Sequence, residues 1–313
     1  MHISIVIPCY NVSQHIEEVI SKIPANIAWI ITVNDASKDN SKEILLNLSK
    51  SNKRIIFIDH ALNQGVGGAM LTGYAKALEL KSEIIIKIDG DGQMDADNIP
   101  KLIRPLIDNI AEFTKGNRFR DFKALRSMPI TRRIGNLGLS FIIKAASGYW
   151  NIFDPTNGFT AIKSETLAGL DFSKIHKRYY FETSMLIELY YNNAVIVDVP
   201  FKAIYGDEIS GLSRFKTMVE FPPKLFIAFL KRIILKYFLF DFNIASIYFL
   251  CGTPMFIYGL VFGLINYFKY TAEHEYAPTG TILIPTLFII LGFQLLLSAI
   301  SYDISNYPKR SNS

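Results

Sequence analysis

Cysteine is almost missing from this sequence: Cys9 and Cys251 are the only two in 313 residues, and they lie far apart in the chain. A disulfide framework is thereby excluded, and neither thiol has the neighbours that a metal motif needs. No Walker sequence, no G-x-S-x-G and no H-E-x-x-H is present, which removes the common nucleotide-hydrolase, serine-hydrolase and zinc-protease readings. The first strand-helix turn lacks a dinucleotide glycine fingerprint; Gly65-Val66-Gly67 comes late, with Met70 where the third glycine should stand. Met1 to Pro8 has no basic leader and no small-residue cleavage site, so no cleavable signal peptide is expected and the large first part should stay in the cytosol. No nucleic-acid partner is expected.

Charge is also missing where it matters. Phe242 to Phe268 contains no charged residue, and neither does Thr281 to Tyr302. Each run is long enough to cross a hydrocarbon core of about 30 Å as a helix. Gly252, Pro254, Gly259, Gly263 and Pro285 do not oppose this, because membrane helices tolerate both residue types.

The first part is different in kind. Ile3 to Ile7, Trp29 to Val33, Arg54 to Asp59 and Glu83 to Asp89 read as strands, and Gln14 to Ile23, Asn40 to Lys50 and Gly67 to Leu80 as the helices between them. Such alternation predicts an α/β fold with a mainly parallel sheet. The organising stretch is Ile84-Ile85-Ile86-Lys87-Ile88-Asp89-Gly90-Asp91-Gly92-Gln93, a buried-strand pattern that ends in two carboxylates one residue apart. At the carboxyl end of a strand in an open α/β sheet, ligands bind. Two such close acids repel unless a cation or proton lies between them, and oxygen ligands suit Mg2+ or Mn2+. A solvated Asp-Gly turn is the competing reading. A calcium loop is excluded, since Met94 stands where glycine is needed and Pro100 where the bidentate Glu is needed. The other strand ends carry Pro8-Cys9-Tyr10-Asn11, Asn34-Asp35-Ala36-Ser37 and Asn63-Gln64-Gly65, residues suited to a base and ribose. Helix capping before Asn40 is the plainer use of Asp35 and Ser37.

These segments carry a family resemblance. Val33 to Ser41 (VNDASKDNS) resembles the V-D-D-G-S-x-D-x-(S/T) segment of family 2 glycosyltransferases, with Asn34 for the first acid and Ala36 for the glycine. NQGVGGA from Asn63, DGDGQMD from Asp89, GNRF from Gly116, DPTNGF from Asp154 and YFET from Tyr180 follow in the expected order. The whole is similar to polyprenyl-phosphate glycosyltransferases, relatives of dolichyl-phosphate mannose synthase, which join a GT-A domain to membrane helices.

The resemblance implies roles for individual residues. Asp35 would accept from the base, in a pocket shaped by Pro8, Tyr10, Asn11, Asn63 and Gly65. Asp89 would face the ribose, and with Asp91 would hold the divalent cation, Gln93 standing beside them. Arg118, and Arg132 or Arg133, would clamp phosphates through bidentate guanidinium geometry, the last two equally suited to a plain surface role. Glu182 would act as general base or position the acceptor; an acid favoured by a helix N-terminus is its bland alternative. Asp154 would face the donor sugar or cap a turn.

Beyond Pro200, Gly206 to Arg214 reads as a mobile loop or linker in which Arg214 would approach an acceptor phosphate. Pro222-Pro223 then opens a helix-like run to Phe240. Lys224, Lys231, Arg232 and Lys236 fall within an arc of about 140° on it, a basic stripe for anionic headgroups. The expected organisation is a GT-A catalytic domain over 1–213, an amphipathic juxtamembrane helix over 214–241, two transmembrane helices over 242–303 with an outside loop at 269–280, and a cytosolic tail over 304–313. Basic residues flanking the spans, with Lys309 and Arg310 in the tail, put both ends inside. A bacterial or archaeal plasma membrane is the expected setting, and glycines in the spans permit helix contacts within a homo-oligomer. The function expected is metal-dependent, inverting transfer of a sugar from a nucleoside-diphosphate sugar to a polyprenyl phosphate. Its rivals are extension of a lipid-linked glycan and a non-catalytic nucleotide-sugar-binding membrane scaffold.

Overall fold

The computed structural model describes residues 1–118, 130–201 and 214–310, with side chains described outside 130–134, 136 and 214–219. Contacts divide the chain into two compact units, Met1–Ala228 with Pro308–Ser313, and Phe229–Tyr307.

The first unit is built on a seven-stranded sheet ordered β3-β2-β1-β4-β6-β5-β7. Its strands are β1 (Ile3–Cys9), β2 (Trp29–Asn34), β3 (Ile55–Asp59), β4 (Ile84–Lys87), β5 (Phe113–Asn117), β6 (Thr160–Lys163) and β7 (Ile196–Pro200). Helices α1 (Ile16–Ser21), α2 (Ser41–Ser51), α3 (Val66–Glu79), α4 (Ile99–Ile107), α5 (Ile130–Ser147), α6 (Ser164–Ala168) and α7 (Phe181–Tyr191) connect and cover the strands. The β-branched runs become central strands because both faces are covered: Ile5, Ile7, Ile30, Ile31, Ile85 and Ile86 are all fully buried. The sheet is mixed, more so than the alternation predicts. β1, β2, β3 and β4 run parallel, whereas β6 runs antiparallel to both β4 and β5.

Strand order reverses at β1, which has β2 on one side and β4 on the other. The chain leaves β1 towards β2 on one side and enters β4 on the other by way of α3, which opens a crevice at the carboxyl ends of β1 and β4. β4 stops at Lys87, before the expected Asp89. The Ile88 N–H still donates to the Val6 carbonyl at 3.2 Å, but that of Asp89 turns to the Met94 sulfur at 3.3 Å and leaves the ladder. The two acids therefore stand on a turn, just past the strand.

In the second unit, α9 (Ile244–Glu273) and α10 (Thr279–Ser305) are both long and apolar enough to cross a membrane. Asn243 caps α9, its side-chain oxygen accepting from the Ala245 N–H at 2.9 Å. The two helices meet along small residues. A Cβ at Gly292 would lie 2.5 Å from the Phe256 backbone nitrogen, and one at Gly259 would lie 2.8 Å from the Pro285 carbonyl oxygen. The glycines thus serve contact between α9 and α10 of the same chain, the use that close helix approach favours.

The preceding helix, α8 (Arg214–Ile234), runs through Pro222 and Pro223, the pair read as opening the helical run, before wider π-helical turns over Leu235–Phe240. Its basic stripe is also smaller than the helical projection suggests. Lys224 and Lys231 are exposed, but Arg232 is buried and forms a bidentate pair with Asp303, at 2.8 and 2.7 Å. Tyr237 Oη donates to the same carboxylate at 2.6 Å, and Lys236 Nζ lies 3.4 Å from it. A carboxylate near the end of an apolar helix needs such partners, and they come from the chain that leads into α9. Breaking a buried pair costs more than replacing it. Asp303→Asn should lower stability by about 3–5 kcal/mol, read as the thermal midpoint of the detergent-solubilised protein, whereas Arg232→Met with Asp303→Leu should recover much of the loss.

Candidate functional site

A cleft of about 500 Å3 opens at the β1/β4 reversal, and Pro8, Tyr10, Asp35, Asn63, Gly65, Asp89 and Asp91 all line it. Seven of the expected residues, from four separate segments, are therefore brought to one place. Each reaches it for a local reason: parallel strands deliver their carboxyl ends to the same edge, and tight turns follow them.

Asp35 is buried and holds the cleft's base together. Its Oδ1 accepts from His60 Nδ1 at 2.8 Å and from the Gln64 N–H at 2.9 Å, while Oδ2 accepts from the Gly65 N–H at 2.7 Å. Asn63 Nδ2 donates to the Asp35 carbonyl at 3.0 Å. Three donors on the carboxylate fix its orientation and leave Oδ2 with acceptor capacity towards a ligand. His60 was not foreseen from the sequence. It follows β3, and its Nε2 lies 3.0 Å from the Thr72 hydroxyl on α3.

The motif's two departures have structural reasons. Asn34 stands opposite Asp59 in the β2–β3 register and donates to it at 2.7 Å, where a carboxylate would meet a like charge. Ala36 takes φ +56°, the left-handed conformation that a glycine adopts without steric cost.

The NQGVGGA segment is glycine-rich because another backbone crosses it. A Cβ at Gly67 would lie 2.2 Å from the His176 carbonyl oxygen, and one at Gly65 would lie 2.6 Å from that of Lys177. The Gly68 N–H donates to the same Lys177 carbonyl at 2.9 Å. This approach brings Arg178 and Tyr179 into the cleft wall. Arg178 was passed over in the sequence, although it lies close to the YFET motif.

Two buried lysines lie behind the acids. Lys87 Nζ is 2.6 Å from Asp89 Oδ1, 3.6 Å from Glu182 Oε1 and 3.3 Å from the Gly158 carbonyl. Burial penalises its ammonium, but the charges of Asp89 and Glu182 and the Asp89 hydrogen bond outweigh that and raise its pKa. Lys115 donates to the adjacent Asn157 carbonyl, and burial lowers its pKa to about 8. Glu182 stands in the first turn of α7, as expected. Its carboxylate faces the Lys87 ammonium.

Other expectations are corrected. Asp154 was expected to face the sugar or cap a turn; it is fully buried and takes Arg118 Nε at 2.8 Å and Nη2 at 3.3 Å. Arg118, expected as a phosphate clamp, is engaged by that pair, because a carboxylate without solvent needs a charged donor. Neither lines the cleft. Asn11 lies outside it too, at φ +55°, its side-chain oxygen accepting from the Lys38 N–H at 2.8 Å. The Gln93 side chain lines a neighbouring cleft with His15, Glu18 and Lys22, while its N–H donates to Asp91 Oδ1 at 3.0 Å. The side chains of Arg132, Arg133 and Arg214, and the loop that leads to Arg214, lie outside the described residues.

Among the described residues no group of three or more His, Cys, Asp or Glu is placed to hold a metal. Asp91 lines the cleft, and Asp89 keeps Oδ2 clear of the Lys87 hydrogen bond, which suits a cation that completes its shell with water and diphosphate oxygens.

The model of glycosyl transferase family 2 matches residues 4–170, more than half of the chain. The chain belongs to that family. A UDP-N-acetylglucosamine–dolichyl-phosphate N-acetylglucosaminyltransferase of Methanococcus voltae is 37% identical over 218 residues, which cover 66% of this chain and 86% of that protein. A dolichol-phosphate mannosyltransferase of Pyrococcus furiosus is 28% identical, over 69% of this chain and 60% of that one. Among solved structures, the Mycobacterium tuberculosis glucosyl-3-phosphoglycerate synthase in complex with Mn2+, UDP and glucosyl-3-phosphoglycerate aligns with a TM-score of 0.53 at 18% identity, over 74% of this chain and 79% of that one. That is a likeness of fold, and the GT-A expectation stands as a family 2 glycosyltransferase fold.

Two outcomes test this geometry. Gly67→Ala should cost about 1–3 kcal/mol, because its methyl meets backbone, and should weaken nucleotide binding in a thermal-shift titration. Asp198 on β7 accepts from the Phe153 N–H at 2.7 Å and has no partner for Oδ1 among the described residues. Burial raises its pKa from 3.8 to about 6. The folded state favours the protonated acid, so its contribution to stability is complete below pH 3.8 and is lost as pH rises through about 6. Asp198→Asn should therefore gain thermal stability relative to the wild type across that interval, measured as the midpoint against pH, and keep the gain above it.

Proposed function

We propose that this family 2 enzyme transfers a sugar from a nucleoside-diphosphate sugar to a polyprenyl phosphate at the cytosolic leaflet, with inversion at the anomeric carbon. The observation that carries the reading is the 37% identity to a transferase named for UDP-N-acetylglucosamine and dolichyl phosphate, in a chain whose cleft has the matching acids. UDP-N-acetylglucosamine is accordingly the first donor to test. The two apolar helices supply the reason for a lipid acceptor, since a water-soluble donor needs no membrane. In this reading the first unit and the tail are cytosolic, and the loop between α9 and α10 is outside.

Transfer breaks the bond between the anomeric carbon and the diphosphate oxygen and forms one to an acceptor phosphate oxygen. The nucleoside diphosphate leaves with the electron pair, and an ionised acceptor has no proton to surrender. Asp91 with Asp89 would hold Mg2+ or Mn2+, which when bound neutralises charge developing on the leaving group. The chain's own residues do the rest. Asp35, oriented by His60 and the Gln64 and Gly65 amides, accepts from the base, and Pro8 and Tyr10 shape its pocket. Arg178 and Tyr179 close the same wall, and Glu182, which does not line the cleft but meets Lys87 behind it, would position the reacting groups.

Purified full-length protein given labelled UDP-N-acetylglucosamine, Mn2+ and a polyprenyl phosphate should yield a chloroform-soluble labelled lipid. Asp91→Ala should reduce that turnover at least about 100-fold without altering the thermal midpoint of the unliganded protein. Label found only on a pre-existing oligosaccharide lipid would replace this reading with glycan extension.

A further inference from the structure

Lys87 is a cation at the end of an otherwise apolar strand. Its neighbours Ile85, Ile86 and Ile88 belong to the core, and the lysine itself is 1% exposed. An ammonium has three N–H donors and no acceptor, and an unsatisfied buried one is very costly. Here three oxygen partners surround it: Asp89 from the turn after β4, Glu182 from the first turn of α7, and the Gly158 carbonyl from the loop before β6. These segments are remote in sequence. Gly158 is the residue that permits the meeting, for a Cβ there would lie 2.4 Å from Lys87 Nζ and 2.5 Å from Asp89 Oδ2.

We propose that Lys87 is a positioning residue which acts as an internal counter-cation: it ties Glu182 to Asp89 and moderates the charge that the acidic corner presents to a divalent metal. The Asp89 oxygen bonded to Lys87 shares its lone pairs with the ammonium, which makes it a weaker ligand for a metal. The ammonium also repels any metal gripped by the remaining oxygen and by Asp91. A corner with uncompensated carboxylates would bind metal more tightly and release the metal-diphosphate product more slowly; one with Lys87 holds metal loosely and keeps Glu182 in register. The inference rests on the reading of Asp89 and Asp91 as cation ligands, but metal binding is read without turnover.

The test is Mn2+ binding to the detergent-solubilised full chain, followed by the electron paramagnetic resonance signal of free Mn2+, alongside steady-state transfer. Lys87→Met removes the charge and keeps much of the side-chain volume. It should tighten Mn2+ binding about five-fold or more while lowering kcat roughly 10- to 100-fold, with the donor KM changed less than kcat. Lys87→Arg, which retains the cation, should keep Mn2+ affinity within about two-fold of wild type. Glu182→Gln should cost less in the Lys87→Met background than in the wild type, because the contact that it breaks is already gone. If Lys87→Met does not fold, Lys87→Gln, which can still donate to the Gly158 carbonyl, takes its place. Unchanged or weaker Mn2+ binding in the charge-removing variant, measured per folded molecule, would overturn the proposal. Tighter Mn2+ binding in a protein that transfers no sugar from any donor would leave Lys87's role standing and overturn the proposed reaction.

Discussion

Charge balance behind the acidic corner is the constraint that the catalytic unit is built around. Parallel strands bring their carboxyl ends to one edge, so acids placed there accumulate, and accumulated acids repel. The structure answers with cations from beneath. Lys87 and Lys115 rise from different strands to adjacent carbonyls of one turn, those of Gly158 and Asn157. Their environments differ in a telling way. Lys87 has two carboxylates in contact and keeps its charge despite burial, whereas for Lys115 burial dominates and its pKa falls to about 8. The lysine beside the cleft is thus a fixed charge, and the other is a hydrogen-bond donor whose charge is less firmly held. On the far side of the same turn Asp154 and Arg118 form their own closed pair. The DPTNGF motif is therefore held by the two buried lysines and by an ion pair of its own.

Much of this was legible in the sequence, and the reason is local. β-branched runs, glycine turns and acids at strand ends each state their position within a few residues, so the first four strands and the acidic corner could be read directly. What could not be read were partners distant in sequence. Lys87 stands in the organising stretch itself, yet nothing there shows that Glu182 lies across from it. Asp154 and Arg118 were both singled out, Arg118 for a phosphate and Asp154 for a sugar or a turn, because neither could be seen to face the other. Arg232 suffered the same fate: a helical projection puts it with exposed lysines, while Asp303, far along the chain, takes it inward. Pro222-Pro223 misled for a different reason, since paired prolines favour a first turn and here lie inside a longer helix.

The departures from the family motif show the same coupling of local residue to distant partner. An acid at position 34 would face Asp59, which already pairs with Lys42 at 2.7 Å. Asparagine keeps the hydrogen bond and avoids the repulsion. Alanine at 36 accepts a left-handed backbone, a strain of about 1–2 kcal/mol, and the turn holds because the Asp35 carboxylate beside it is fixed by three donors. Local preference yields where the surrounding hydrogen bonds over-determine the conformation. The recognition surface is thereby preorganised, and a nucleotide entering the cleft meets groups that need little further ordering.

A phosphate acceptor changes what a carboxylate is needed for. A hydroxyl acceptor must lose its proton as it attacks, so an enzyme using one needs a base whose environment favours taking that proton up. An ionised phosphate oxygen has no such requirement; what limits it is placement against a donor that is itself anionic. Two anions brought together need cations close by and held still, because a flexible charge would add reorganisation cost to every turnover. The pairing of Glu182 with a buried ammonium fits that demand. It is an arrangement for keeping a charge in one place, and in the proposed reaction it would make Glu182 part of the positioning apparatus, joined through Lys87 to Asp89.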